Sequence, residues 1–191
     1  MVHPTRRTFG VCAVLLSALI AMGGCSHKRA AAVGEPNSSG DIPDSIQYVP
    51  FTPPGMDYQV STPEGWARAD ASGAIVFTDH LNSITIESHK ATTAPTVSSA
   101  RASEVPLLQK RFTAFTLVDV TEVQRKAGPA ALVTFHADSA ADAVTGKVIH
   151  QSVERYLFFH NRELVTLTLA GPSGADNVDP WRTVTDSLHW L

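Results

Sequence analysis

KVIHQSVERYLFFH (residues 147–160), NR (161–162) and ELVTLTLA (163–170) run together as two apolar stretches with a two-residue break between them. They read as the arms of an antiparallel hairpin, with a tight turn at Asn161-Arg162. Along the first arm, Tyr156 and Phe158 fall on one face, and Leu157 and Phe159 on the other. Both faces are therefore partly apolar. Helices covering both sides of the sheet are the expected arrangement, with an exposed binding patch on one face as the alternative.

Working outward, two more strands precede the hairpin, at 116–125 and 130–138, separated by Lys126-Ala127-Gly128-Pro129 and followed by a loop at 139–146. Short links between successive strands favour an antiparallel meander. Earlier still, 56–61 reads as a strand, Thr62-Pro63-Glu64-Gly65 as a turn and Trp66 as the residue that follows it. Stretches 74–79 and 81–89 meet near His80, with Val76, Ile84 and Ile86 as inward positions. A helix is expected between these groups. Ser103 serves as its N-cap, Pro106 lies in the first turn, and Val105, Leu108, Phe112 and Phe115 form one stripe. The alternative starts it at Thr96 and kinks it at Pro106. A last helix opens on Asp179-Pro180 and carries Trp181, Val184, Leu188 and Leu191 on its apolar side. The expected fold is α+β: an antiparallel sheet of about six to seven strands packed by a mid-chain and a C-terminal helix.

The N-terminal stretch has a different character. Arg6 and Arg7 precede an uncharged apolar run at 11–22, and Gly23-Gly24-Cys25 follows. The run is too short to cross a hydrocarbon core of about 30 Å as a helix, but it suits a signal sequence. The triplet resembles a bacterial lipobox with Met22 where Leu is usual, so Cys25 is the expected lipid-attachment site. Thr5-Arg6-Arg7-Thr8-Phe9 resembles a twin-arginine export motif, and the general secretory route remains the alternative. The expected organisation is a signal peptide at 1–24, a lipidated flexible tether at 25–45 and a single domain at 46–191. Two acyl chains on Cys25 would make anchoring stable. The location would be the extracytoplasmic face of the cell membrane. Cys12 would leave with the signal, so no internal disulfide could form.

Residues 46–191 hold 11 Lys and Arg against 15 Asp and Glu, a net charge near −4 with no basic run. That balance argues against nucleic acid as a partner. The Thr62-Pro63-Glu64-Gly65-Trp66 turn, the mid-chain helix, the long meander and the C-terminal helix together resemble the PsbP-like fold over residues 47–191. With a lipobox and a composition rich in Ala, Val and Thr, the chain is similar to the LpqN/LpqT-type lipoproteins of actinobacteria. That resemblance implies a non-catalytic envelope protein acting by binding, in some cases near machinery that builds or exports envelope lipids. It brings no catalytic residues and no cofactor.

Motifs for hydrolase elbows, P-loops, zincins, paired cysteines and dinucleotide folds are absent from the sequence. The nearest thing to a constellation is His136 and His150. Pairing 130–138 with 147–160 would set them nearly opposite, close enough to share a metal, with Glu154 too far along the strand to complete the set. An envelope hydrolase or metal-dependent enzyme built on that pair is the alternative function, and a pair of ordinary sheet histidines the bland one. His80 and His89 are weaker candidates. Trp66, Tyr156 and Phe158 are the candidate contacts for a lipidic ligand or an envelope protein partner, and Trp181 and Trp190 could line a pocket or simply fill the core. A third reading, an apolar-ligand carrier, requires an enclosed cavity of some hundreds of Å³.

Overall fold

The computed structural model describes residues 40–71 and 73–191. The expected signal, Arg6, Arg7, Cys25 and most of the tether lie outside the described residues.

The strands are β1 (Tyr48–Phe51), β2 (Tyr58–Pro63), β3 (Ala67–Ala71), β4 (Ala74–Asp79), β5 (Asn82–Lys90), β6 (Thr113–Arg125), β7 (Gly128–Asp138), β8 (His150–His160), β9 (Glu163–Pro172) and β10 (His189–Trp190). Seven of them form one antiparallel sheet in the order β3-β4-β5-β9-β8-β7-β6. The chain makes one meander through β5, crosses to the far edge through the helical segment, and returns through a second meander that closes β9 against β5. The remaining three form a small sheet in the order β1-β2-β10. The hairpin of β8 and β9 turns at Asn161 and Arg162, whose φ angles of 47° and 65° are the left-handed pair that suits the twist of two strands joined by a two-residue loop.

Both faces of the large sheet are covered, as the two-sided apolar pattern requires. On one face Ile84, Ile86, Tyr156, Phe158, Leu167 and Leu169 pack under Trp181, Val184 and Leu188 and under Tyr58 and Val60 of the small sheet. On the other, Val133, Phe135, Val153 and Leu157 pack under Ala100, Val105 and Leu108 of the mid-chain helix. Arg155, on the same side as that helix, is also buried. Its Nη1 donates to Glu87 Oε2 at 2.6 Å and to Thr168 Oγ1 at 2.7 Å, and its Nε donates to Glu104 Oε2 at 3.1 Å.

The helical segment runs as α1 (Val97–Ser99), a π-helical turn (Ala100–Glu104) and α2 (Val105–Arg111). It starts at Thr96, not at Ser103. Thr96 and Ser99 cap each other reciprocally, while the Ser103 hydroxyl donates back to the Ser99 carbonyl at 2.6 Å. Pro106 falls at the start of α2, and the π turn, in which Val105 N–H reaches the Ala100 carbonyl, brings the chain to it without a break. Phe112 ends the helix in extended geometry. Phe115 belongs to β6, where it still meets Phe135 with ring centres 4.9 Å apart.

Other boundaries also move. β1 and β3 have no counterpart in the sequence reading, and every residue of β3 is exposed. The early strand sits two residues later than expected, at Tyr58–Pro63. α3 (Val178–Ser187) takes Asn177, not Asp179, as its N-cap, and Pro180, Trp181 and Val184 are buried. The expected stripe stops at Leu188. His189 and Trp190 pair with Gln59 and Tyr58 instead, leaving Leu191 exposed. Fixed structure also reaches further back than residue 46. Ile42 is buried, its N–H donates to Asn177 Oδ1 at 2.8 Å, and the Gly40 carbonyl accepts from Asn82 and Asn177. Composition missed this because one buried aliphatic in a polar run carries no periodic signal.

Candidate functional site

The three aromatic residues proposed as contacts sit inside the fold. Trp66 is 8 % exposed, Tyr156 2 % and Phe158 1 %, all in the layer beneath α3 and the small sheet. Contact with a ligand through these side chains would require the covering elements to move. The Tyr156 hydroxyl donates to Glu154 Oε2 at 2.7 Å and accepts from Arg125 Nη2 at 2.9 Å, while the Arg125 guanidinium lies 5.1 Å from the ring centre. Burial pushes the phenol upward, and the Glu154 carboxylate pushes it the same way. Tyr156→Phe therefore removes two hydrogen bonds and leaves the shape intact. A loss of about 1–2 kcal/mol is expected in urea unfolding, and an unchanged midpoint would show that the network contributes nothing net.

The histidine pair is displaced from the expected register. His150 faces Asp138 across the ladder, and His136 faces Ser152, so the two histidines are diagonal neighbours and not partners. The cause is the loop. β8 begins at His150 instead of Lys147, because Asp142 gathers the turn by accepting from Val144 N–H, Thr145 N–H and the Thr145 hydroxyl. The rings still stack, with centres 5.7 Å apart. Each is tied elsewhere, His150 Nδ1 to Asp138 Oδ1 at 3.0 Å and His136 Nδ1 to the Ser152 hydroxyl at 3.4 Å. Among the described residues no group of three His, Cys, Asp or Glu converges as a metal site would require. His80 pairs with Asp79 on the β4–β5 turn.

Two adjoining clefts open at the rim of the large sheet, at the end where β8 turns into β9. One, of about 630 Å³, is lined by Lys90, Ala91, Thr92, Thr93, Asn161 and Arg162. A second, of about 300 Å³, adjoins it through Lys90 and Asn161 and carries Met56, His89, His160 and Trp190 among its walls. His160 stacks on Trp190 with centres 5.1 Å apart, and the Trp190 Nε1–H donates to the Ala127 carbonyl at 3.0 Å. Lys90 is paired with Glu163. Of this rim the sequence marks His89 and Trp190 as site candidates and Asn161-Arg162 only as a turn. The remaining walls come from separate turns and strand ends that no local motif joins. Among the described residues, no helix is long and apolar enough to cross a membrane.

With two covered sheet faces, a helix-borne crossover and a rim cleft, the architecture is a PsbP-like fold. The cyanobacterial PsbP of Synechocystis sp. PCC 6803 shares it at TM-score 0.53 and 15% identity, over 83% of this chain and 100% of that one. The Ran-binding protein Mog1p of Saccharomyces cerevisiae matches at TM-score 0.52 and 10% identity, over 76% and 96%. LpqN of Mycobacterium tuberculosis, a protein involved in cell envelope biogenesis, matches at TM-score 0.45 and 16% identity, over 76% and 91%. The chain spans 49% of the length of a further match, from Bacteroides thetaiotaomicron. It matches no family model and no curated protein sequence.

Proposed function

We propose that this chain is an LpqN/LpqT-like lipoprotein of the actinobacterial type: a non-catalytic binding or adaptor module, held on the extracytoplasmic face of the cell membrane through Cys25 and serving envelope lipid biogenesis or transport. The observation that carries the reading is the N-terminal order of paired arginines, a short apolar run and Gly23-Gly24-Cys25, set ahead of an independent α+β domain. Support for binding over catalysis comes from the fold, which a Ran-binding protein also uses. The partner is an envelope protein or a lipidic ligand, and no cofactor is needed.

The full chain should fractionate with membranes, and Cys25→Ser should move to the soluble fraction. A Cys25→Ser protein that still sediments with membranes would overturn the anchor. Crosslinking in intact cells, followed by recovery of the parent chain, should return a reproducible partner, and a clean blank would count against the adaptor role.

A further inference from the structure

The rim cleft is built unevenly, and the unevenness points to a ligand. The larger cavity is lined by two cationic side chains, Lys90 and Arg162, by three neutral ones able to donate, Thr92, Thr93 and Asn161, and by no carboxylate. That is unusual on a chain whose net charge is −3. The carboxylates of Asp57 and Glu163 stand instead around the smaller cavity, where Met56 and Trp190 supply apolar wall. Lys90 is neutralised by Glu163, whereas Arg162 has no ion pair among the described residues. The cleft thus offers one uncompensated positive charge ringed by neutral donors.

Its walls are also held in place. Arg162 sits at φ 65° in the hairpin turn, and its carbonyl accepts from the Ala91 N–H at 2.9 Å, which fixes the 91–93 segment against the turn. Trp190 is held on three sides, by Ala127, by the His160 ring and by the edge of Tyr58 at 6.1 Å. Pre-formed walls of this kind lower the ordering cost of binding.

We propose that this cleft binds a small amphiphilic organic anion with a single negative charge, a phosphodiester or a carboxylate, through Arg162, with the apolar body beside Met56 and Trp190. Asp57 fixes the direction, because its carboxylate, which has no ion pair among the described residues, repels the head from the smaller cavity and leaves the acid-free one as its place. The proposal deepens the binding-module reading and rests on it.

Isothermal titration of the full chain in a neutral maltoside, with micelle blanks subtracted, tests the site with methyl 2-naphthyl phosphate, 2-naphthoate, dihexanoylphosphatidylglycerol and uncharged 2-naphthol. At least one anion should bind about tenfold more tightly than 2-naphthol. Arg162→Gln should remove that advantage, and Arg162→Lys should keep part of it. Lys147→Gln, a lysine at the opposite end of the sheet, should change nothing. A tighter fit for the phosphatidylglycerol than for the naphthyl diester identifies a lipid head, and the reverse a free anion; either supports the site. Anions no tighter than 2-naphthol, or Arg162→Gln binding them as the parent does, would overturn it. Partner capture that persists without anion binding removes this site alone. Anion binding that persists without partner capture removes the protein-adaptor role alone.

Discussion

Arg155→Met is expected to lower the unfolding free energy by about 3–5 kcal/mol, the usual cost of breaking a buried ion pair from one side. Arg155 lies on β8, beside the central strand of the large sheet, and joins three elements. It holds Glu87 on β5, Thr168 on β9 and Glu104 in the π turn of the mid-chain helix. Its side chain is 11 % exposed, and those of Glu87 and Glu104 are 25 % and 18 % exposed. Removing the guanidinium leaves two mostly covered carboxylates, of which, among the described residues, only Glu87 keeps a cation, Arg111 at 3.0 Å. The partial exposure places the loss toward the lower end of the range. Urea unfolding followed by circular dichroism measures it, and a midpoint equal to the parent's would show that the helix is held by apolar packing alone. A triple variant that also carries Glu87→Gln and Glu104→Gln should recover much of the loss, because the penalty comes from stranded charge and not from missing volume.

The same cluster sets an acid limit. Burial pushes the Glu87 carboxyl up, but hydrogen bonds and charge from Arg155, and then from Arg111, outweigh it and hold the group below its usual value of 4.5. The folded state therefore binds this proton less readily than the unfolded chain does. The stabilisation is present in full above the unfolded value and is lost as pH falls through the folded one. In Arg155→Met most of that downward pull is gone. The gap between parent and variant should accordingly narrow as pH drops below about 4.5.

The hairpin of β8 and β9 was legible because both of its rules are local: apolar strands, and a two-residue turn able to take positive φ. The cover on both faces followed from Tyr156, Leu157, Phe158 and Phe159 falling on alternate sides. The helix start was visible only as an alternative, since Ser103 and Thr96 are both plausible caps. The difference lay in Ser99, whose hydroxyl closes the box on Thr96. Strand β3, with Ala67, Arg68, Ala69, Asp70 and Ala71 all exposed, has no buried face for a sequence pattern to report. The histidine register slipped because loop residues near Asp142 take chain that alternation assigns to the strand. The rim cleft was mostly illegible for a related reason. Lys90, Arg162 and Trp190 are brought together by β5, the hairpin turn and a short C-terminal strand, whose convergence is a property of topology alone.

Gly171→Ala tests the opposite end of the sheet. A methyl group at this β9 position would fall inside contact distance of Asn82 Oδ1 and 2.7 Å from Asn177 Nδ2. Those two amides form one clamp. Asn177 Nδ2 donates to Asn82 Oδ1 at 2.9 Å, both side chains donate to the Gly40 carbonyl, and Asn177 Oδ1 accepts from the Ile42 N–H. Neither can retreat without breaking bonds to the incoming chain, and the Trp181 ring, 3.4 Å from the same methyl, blocks the other direction. Overpacking and stranded buried donors together should cost about 2–4 kcal/mol. The loss should begin locally. Ile42 would leave its buried site before the sheet opens, so limited proteolysis should cut the variant between residues 40 and 46 under conditions that leave the parent whole. Asn177→Ala should reproduce the cut with a smaller loss of stability, because it frees the same segment without forcing a methyl into the sheet. If Gly171→Ala matches the parent in both stability and cleavage, the clamp does not hold the segment. If stability falls with no new cut, the strain is confined to β9, and Ile42 is held by its apolar contacts alone.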